Sequence, residues 1–350
     1  MSSKKNGNGG REIVRHEWEE GLALSTEAPD DIDVQLDEEG RPIGDTADAP
    51  LGGQVLPRFR VIQGTSQNVP FGADIGSIVN NDTGQVLWPL ESDEVGSKEY
   101  KAALEGKSSN PILDAIVQPV KSLIDRGLAP LPVVPVAYFW ERVCFGTPNL
   151  EQYFGGPGQG SGLQCRSLPN NYTVVPGFTS PVNDGVKDCR QCDLYDPTDF
   201  LSVGEEDDEQ RIPSPCPLNH VFVLQPLRAP LGEMACMTFV RTSAREGGRL
   251  KNTLSRPVPL AGGLKKVELY QRLVVVWTEV IEREGRKWAQ PFARVVRWPT
   301  RPPQVTRDFC AQEAALLHKQ IRELKVVSGI DETDVPEAND GADDDDPFGE

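Results

Sequence analysis

The sequence predicts a mainly β chain of the α+β class, with a loop-rich cysteine insertion and a closing helix. Three observations predict it. Gly and Pro supply 33 and 30 of the 350 residues, above average usage, which favours short strands and many turns over long helices. β-Branched and aromatic residues gather in runs at 131–145, 267–282 and 287–298. Both ends are acidic and poor in apolar residues, which confines the core to the residues between them.

Residues 1–52 read as an acidic, disordered arm, in which Ile13, Val14, Trp18, Leu22 and Leu24 could form a short docking helix. Structure is expected from Pro57, where Phe59 and Val61 alternate with Arg58 and Arg60 as in a strand. Between Gly76 and Leu90, the segment Asn80-Asn81-Asp82-Thr83-Gly84 separates two apolar pieces and predicts a hairpin turn. Ile112, Leu113, Ile116, Val117, Val120, Leu123 and Ile124 recur at helical spacing, so a helix is expected over 110–126 with a kink at Pro119.

Leu131 to Phe145 predicts a central strand. The Gly-rich stretch 155–162 predicts a flexible link; no Lys-Ser or Lys-Thr follows it, so it is not a phosphate loop. After the cysteine segment, strands are expected at 220–227 and 234–241 and a helix at 243–254 despite Gly247 and Gly248. Strands at 267–282 and 287–298 should form a hairpin. The last helix, 307–326, puts Phe309, Ala314, Leu317, Ile321 and Leu324 on one face. The organisation expected is therefore arm 1–52, core 53–325 containing an insertion at 163–218, and disordered tail 326–350.

The formal charge of -17 is segregated. Residues 1–50 carry a net -8 and residues 326–350 a net -10, whereas 228–301 holds 15 Lys or Arg against 6 Glu. A basic region between acidic ends is the layout of a protein whose tails compete with a polyanion for one groove; a solvated positive surface is the alternative. No apolar run is long enough to span a bilayer, and the start MSSKKNGNGG lacks the apolar region of a secretory signal. The expectation is a chain in a reducing cytoplasm, with no membrane, where seven cysteines point to metal or free thiols and not to disulfides.

Cys165, Cys189, Cys192 and Cys216 are spaced as a Cys-x-x-Cys pair flanked by a cysteine 23 residues away on each side. The pair presents two sulfurs from one tight turn, suited to two corners of a zinc tetrahedron, and the flanking cysteines can complete it. The intervening segments are too polar and turn-rich to build a core of their own, so a structural Zn could offset the entropy of closing the two loops. His220 is the rival fourth ligand. A closed site of protein ligands leaves no position for catalytic water. Cys144, Cys236 and Cys310 sit in apolar contexts and read as buried thiols.

Sequence-tolerant binding of a single strand needs cations along the phosphates and flat rings under the bases. The basic stretch offers Tyr270, Trp277, Trp288 and Phe292 as rings, with Arg272 and Arg294 beside them. Arg245, Arg249 and Lys251 add a cationic helix or loop. Strand alternation lets only some rings share a face, and each ring can equally be core. Only three histidines occur, His16, His220 and His318, and no nucleophile-base or HExxH pattern stands out, so an enzyme is not expected.

The chain ends with Asp343, Asp344, Asp345, Asp346, Pro347 and Phe348, followed by Gly349 and Glu350. Phe348 has nothing local to pack on, so the tip is expected to bind a basic, apolar pocket on a partner. This tip resembles that of bacterial single-stranded DNA-binding proteins, in which an Asp-rich stretch ends in Pro-Phe. The overall plan is similar to the helix-destabilising proteins of tailed bacteriophages, some of which carry a zinc knuckle and an acidic tail. The resemblance implies an OB-like β-barrel, single-stranded DNA binding, and recruitment of replication, recombination or repair proteins through the tail. The alternative is a zinc-stabilised structural or scaffolding protein, such as a virion component.

Overall fold

A computed structural model describes residues 54–328, apart from 65, 67–68, 89–97, 108–110, 118–129, 159–161, 205–208, 228–230, 261–262, 284–285, 297–303 and 323–325. The acidic arm, the Pro119 kink, Arg297, Trp298 and the Asp343–Phe348 tip lie outside the described residues.

In chain order the strands begin with β1 (Gln54–Leu56), β2 (Phe59–Val61), β3 (Ile78–Asn80) and β4 (Val86–Trp88). Two short helices follow, α1 (Lys98–Leu104) and α2 (Pro111–Val117). Next come β5 (Leu131–Phe145), α3 (Pro148–Phe154), β6 (Leu163–Arg166), β7 (Phe200–Val203), β8 (Gln210–Pro213), β9 (Leu218–Pro226) and β10 (Ala235–Phe239). The chain continues through α4 (Ala244–Ser255), β11 (Val258–Leu260), β12 (Gly263–Lys265), β13 (Leu273–Arg283), β14 (Arg286–Val296), α5 (Gln304–Arg322) and β15 (Val326–Ser328).

The main sheet runs β10-β9-β5-β13-β14, with β6 added to the far end of β5. β5 is its axis. It pairs antiparallel with β9 from Val133 to Arg142, while its other edge pairs with β13 at residues 131–133 and with β6 at 143–145. The register against β9 shifts between Pro135 and Ala137, which accommodates a proline that cannot donate to the ladder. α5 lies against β5 and buries Cys310, Ala314, Leu317 and Ile321. α4 lies against β9, β10 and β14 and buries Leu250 and Leu254.

The fold is thus mainly β with a few packed helices, as the sequence predicts. Among the described residues every sheet is open, and none closes into the expected barrel. No described helix is long and apolar enough to cross a membrane.

Several elements follow closely from local chemistry. The hairpin at 80–84 forms because Asn80 Oδ1 accepts from the backbone N–H of Asp82 at 3.0 Å, while Gly84 supplies the left-handed conformation, φ 69°. Gly247, which looked unfavourable inside a helix, is there for space. A Cβ at that position would meet the Cβ atoms of His220 and Phe239 at 2.7 Å, so only Gly lets α4 approach β9 and β10 so closely.

Three boundaries differ from the sequence reading. Order begins before Pro57 and extends past residue 325, because β1 and β15 pair in parallel, Gln54 with Val326 through Leu56 with Ser328. The strand expected from 267 starts at Leu273, since Leu269–Gln271 form a 3-10 turn closed by Arg272 N–H on Leu269 O at 2.8 Å. The Gly-rich segment is preceded by α3, which Gly155 terminates at φ 64° with its N–H on Glu151 O.

Candidate metal centre and basic surface

The insertion builds a second core, separate from that of the main sheet, and its centre is made of thiols. Cys144, Cys165, Cys189 and Cys216 are buried in it with Leu150, Val174, Leu194, Leu201 and Ile212, and half-buried Cys192 packs against it. The five thiols come from four pieces of chain. Cys144 closes β5, and Cys165 lies directly opposite it on β6. Cys189 and Cys192 bracket a single 3-10 turn that begins at Asp188, whose carboxylate accepts from Arg190 N–H at 2.9 Å, and Cys192 N–H closes the turn on Cys189 O. Cys216 sits just before β9, its N–H held by Ser214 Oγ at 3.1 Å.

All five cysteines line one small cavity, together with Arg142, Ser180 and Tyr195. The four cysteines singled out by spacing therefore converge, although more than 50 residues separate the first from the last. Among the described residues no group of three or more His, Cys, Asp or Glu side chains meets the geometry of a formed metal centre. The donor set fits a thiophilic cation such as Zn²⁺ in number and in softness.

The electrostatics of the cavity favour neutral thiols. Burial, and then the neighbouring Cys216, Cys189 and Cys192, push the Cys165 thiol well up. Cys189 is pushed up to about 12, mainly by burial. Cys216 is raised by its hydrogen bond to Cys144 and by burial. Cys192 is raised by burial, against which a contact of its sulfur with Ser180 Oγ at 3.2 Å acts to lower it. A bound divalent cation would reverse this balance by replacing the protons.

Arg142 is the fixed positive charge beside the cavity. Its Nη1 donates to Cys216 O at 2.7 Å, and its Nη2 donates to Asp196 O at 3.0 Å and pairs with Asp199 Oδ1 at 3.0 Å. The guanidinium also lies 4.6 Å over the Tyr195 ring. Sequence reading missed both Arg142 and the place of Cys144 in the cavity wall. The signal was present, since residues two apart on a strand share a face and Cys144 follows Arg142 at that spacing.

His220, the rival ligand, does not line this cavity. It sits on β9 under α4, with Nδ1 2.9 Å from the Tyr138 hydroxyl and its ring stacked on Tyr138. Burial, and then Lys251, push its pKa down to about 4. Cys236 and Cys310 are buried in the main core, as expected of structural thiols.

The predicted nucleic-acid residues divide by burial. Arg245, Arg249 and Lys251 are exposed on α4, and Arg249 pairs with Glu246 at 2.5 Å. Arg294 is exposed on β14, the strand against which α4 packs. Tyr270, Trp288 and Phe292 are half-buried, and the Trp288 indole N–H has no partner among the described residues.

Arg272 and Trp277 are instead structural. Arg272 is 8% exposed and donates to Leu254 O and Arg256 O, satisfying carbonyls at the C-terminal end of α4. Trp277 is 6% exposed, donates to Glu279 Oε1 at 3.1 Å and stacks on Phe292 directly across the ladder. Alternation failed to separate the faces because residues 273–278 are buried on both sides. An aromatic that the sequence reading passed over, Phe71, is fully exposed in the loop before β3.

Compared with known proteins, the chain matches no family model, no curated protein and no solved structure.

Proposed function

We propose that the chain binds single-stranded DNA without reading its sequence, on the basic face shared by α4 and β14, with a zinc ion stapling the cysteine module. The observation that carries this reading is the group of exposed cations: Arg245, Arg249 and Lys251 on one helix, packed against the strand that exposes Arg294. Cations in such a group neutralise successive phosphates, and half-buried Tyr270 and Trp288 are the rings left to stack on bases. The open sheet offers this face without barrel closure. Convergence of four thiols on one cavity supports the zinc staple. The tail would compete with DNA for the face and, once displaced, recruit replication or repair proteins through Asp343–Phe348.

A second reading, a zinc-stabilised scaffolding protein, draws on the burial of Arg272 and Trp277, which removes two of the expected contacts. Binding of labelled oligo-dT to the full chain and to a chain ending at Gly329, with a duplex control at two salt concentrations, separates the two. Single-strand preference strengthened by truncation is the expected result. No binding by either chain would favour the scaffolding reading.

A further inference from the structure

Four large apolar side chains stand exposed at one corner of the β13–β14 hairpin. Val69, Phe71 and Ile75 lie in the loop between β2 and β3, and Val280 lies on β13. Hydrogen bonds bring the loop there. Gln63 Nε2 donates to Ala289 O at 2.9 Å and its Oε1 accepts from Ala289 N–H at 2.8 Å, so one side chain takes the place of a strand on the edge of β14. Thr278 Oγ1 donates to Gly76 O, and a Cβ at Gly76 would meet Val280 Cγ2 at 3.2 Å, which sets the end of the loop over Val280.

The tip of the loop is the segment Pro70-Phe71-Gly72-Ala73. Ala73 N–H donates to Pro70 O at 3.1 Å, and Gly72 takes φ 82°, as the third position of a type II turn requires. The turn holds Phe71 wholly in solvent. Val69, Ile75 and Val280 are 43%, 40% and 50% exposed. An aromatic fixed outward by an ordered turn, with three aliphatic side chains in the same corner, marks an interaction surface.

Two observations select what covers it. The four side chains expose on the order of 400 Å², about half of what each partner of a stable dimer contributes, so the surface suits a tethered segment better than a free partner. The chain carries such a segment before β1. Val14, Trp18 and Leu22 recur at intervals of four, the spacing of one helix face. Leu24 is joined to Gln54 by 29 residues, a link with a root-mean-square span of about 30 Å. From Gln54 the chain runs through β1 and β2 to Gly64 in ten steps, so the arm enters the fold within about 35 Å of the loop.

We propose that residues 13–24 dock in cis on this corner as a helix, with Val14, Trp18 and Leu22 against Phe71, Val69, Ile75 and Val280. Tethering supplies an effective concentration of about 1 mM, which populates a contact too small to hold a separate molecule. The proposal does not rest on strand binding. Ala289 and Arg294 are an odd number of residues apart on β14, so the corner lies on the opposite face of the hairpin from Arg294.

The test compares amide exchange in the full chain and in a chain starting at Leu51. Exchange over residues 69–76 should be about tenfold slower in the full chain, the protection that an effective concentration of about 1 mM gives against a dissociation constant of about 0.1 mM. Trp18→Ala and Phe71→Glu, each in the full chain, should remove that protection. Phe71 touches no core, so its variant should fold. A synthetic peptide of residues 11–25 should bind the shortened chain and should not bind its Phe71→Glu form. Equal exchange in the two chains, or protection that survives Phe71→Glu, would overturn the proposal. Protection that rises with protein concentration would assign the corner to a second copy and overturn the arm as its occupant. No DNA is present in these measurements, so their outcome is separate from that of the oligo-dT titrations.

Discussion

Arg142 Nη1 donates to the carbonyl oxygen of Cys216 at 2.7 Å, tying the middle strand of the main sheet to the last thiol of the cysteine module. The guanidinium is almost wholly buried, and it also holds Asp196 O and the carboxylate of Asp199. Replacing it by Met takes the cation from the buried Asp199 carboxylate, which keeps only the Leu218 N–H, and removes the guanidinium donors to Cys216 O and Asp196 O. We expect Arg142→Met to destabilise the chain by about 3–5 kcal/mol, read as a lowered urea midpoint. If the module holds zinc, the same change should lower its affinity by about 10–100-fold in a competition titration with a chelator.

The thiol cavity predicts one zinc per chain by elemental analysis of protein purified without chelator. Cys189→Ser and Cys165→Ser should lose the metal, while Cys310→Ser, in the main core, should keep it. Metal binding must displace protons from thiols whose pKa values burial has raised, so affinity should fall as the pH is lowered. Chelation should make residues 163–218 protease-sensitive before the main sheet, because the two have separate cores. Intact, metal-free protein of unchanged stability would refute the zinc staple.

His220 predicts a pH dependence of a different kind. Its folded pKa is about 4, below the ordinary value of 6.5, so between these values the unfolded chain binds more protons than the folded one. The stability this confers is complete above pH 6.5 and is lost as the pH falls toward 4. The urea midpoint should therefore drop from pH 7 to pH 5, and His220→Gln should flatten that slope. Tyr138, Lys251 and the close backbone of Gly247 are the groups around the ring.

Gly247→Ala and Gly248→Ala should differ in sign. Helix propensity alone favours both by about 1 kcal/mol. At 247 the added Cβ meets two other Cβ atoms at 2.7 Å, and neither can rotate away. Overpacking there should cost about 1–3 kcal/mol. At 248 the nearest atom is His220 Nε2 at 3.6 Å, an ordinary contact, so that substitution should be neutral or stabilising. Thermal melts of the two variants decide this.

For the basic face, the triple change of Arg245, Arg249 and Lys251 to Ala should weaken oligo-dT binding and reduce the salt slope by about 2. Trp277→Ala should act through stability, since its ring is stacked in the core. A triple variant with unaltered affinity and salt slope would remove α4 from the proposed interface.

By itself the sequence determined what depends on local chemistry. The run 131–145, rich in Val and aromatic residues, forms one strand with the expected bounds, because such residues suit a pleated, buried surface. The Asn80–Gly84 turn and the Cys-x-x-Cys knuckle were legible for the same reason: a few neighbouring residues fix their geometry. Spacing also named the four thiols that meet in one cavity. Only the tertiary structure decided what depends on neighbours distant in the chain. It took Arg272 and Trp277 out of the candidate surface, because β13 is covered on both faces and parity along one strand cannot report that cover. It committed His220 to Tyr138 and brought Arg142 and Cys144 to the thiols. It buried Asn219 Oδ1 on β9 without a hydrogen-bond partner among the described residues. Burial and hydrogen-bond pairing are properties of the packed whole, and a linear pattern carries only their local part.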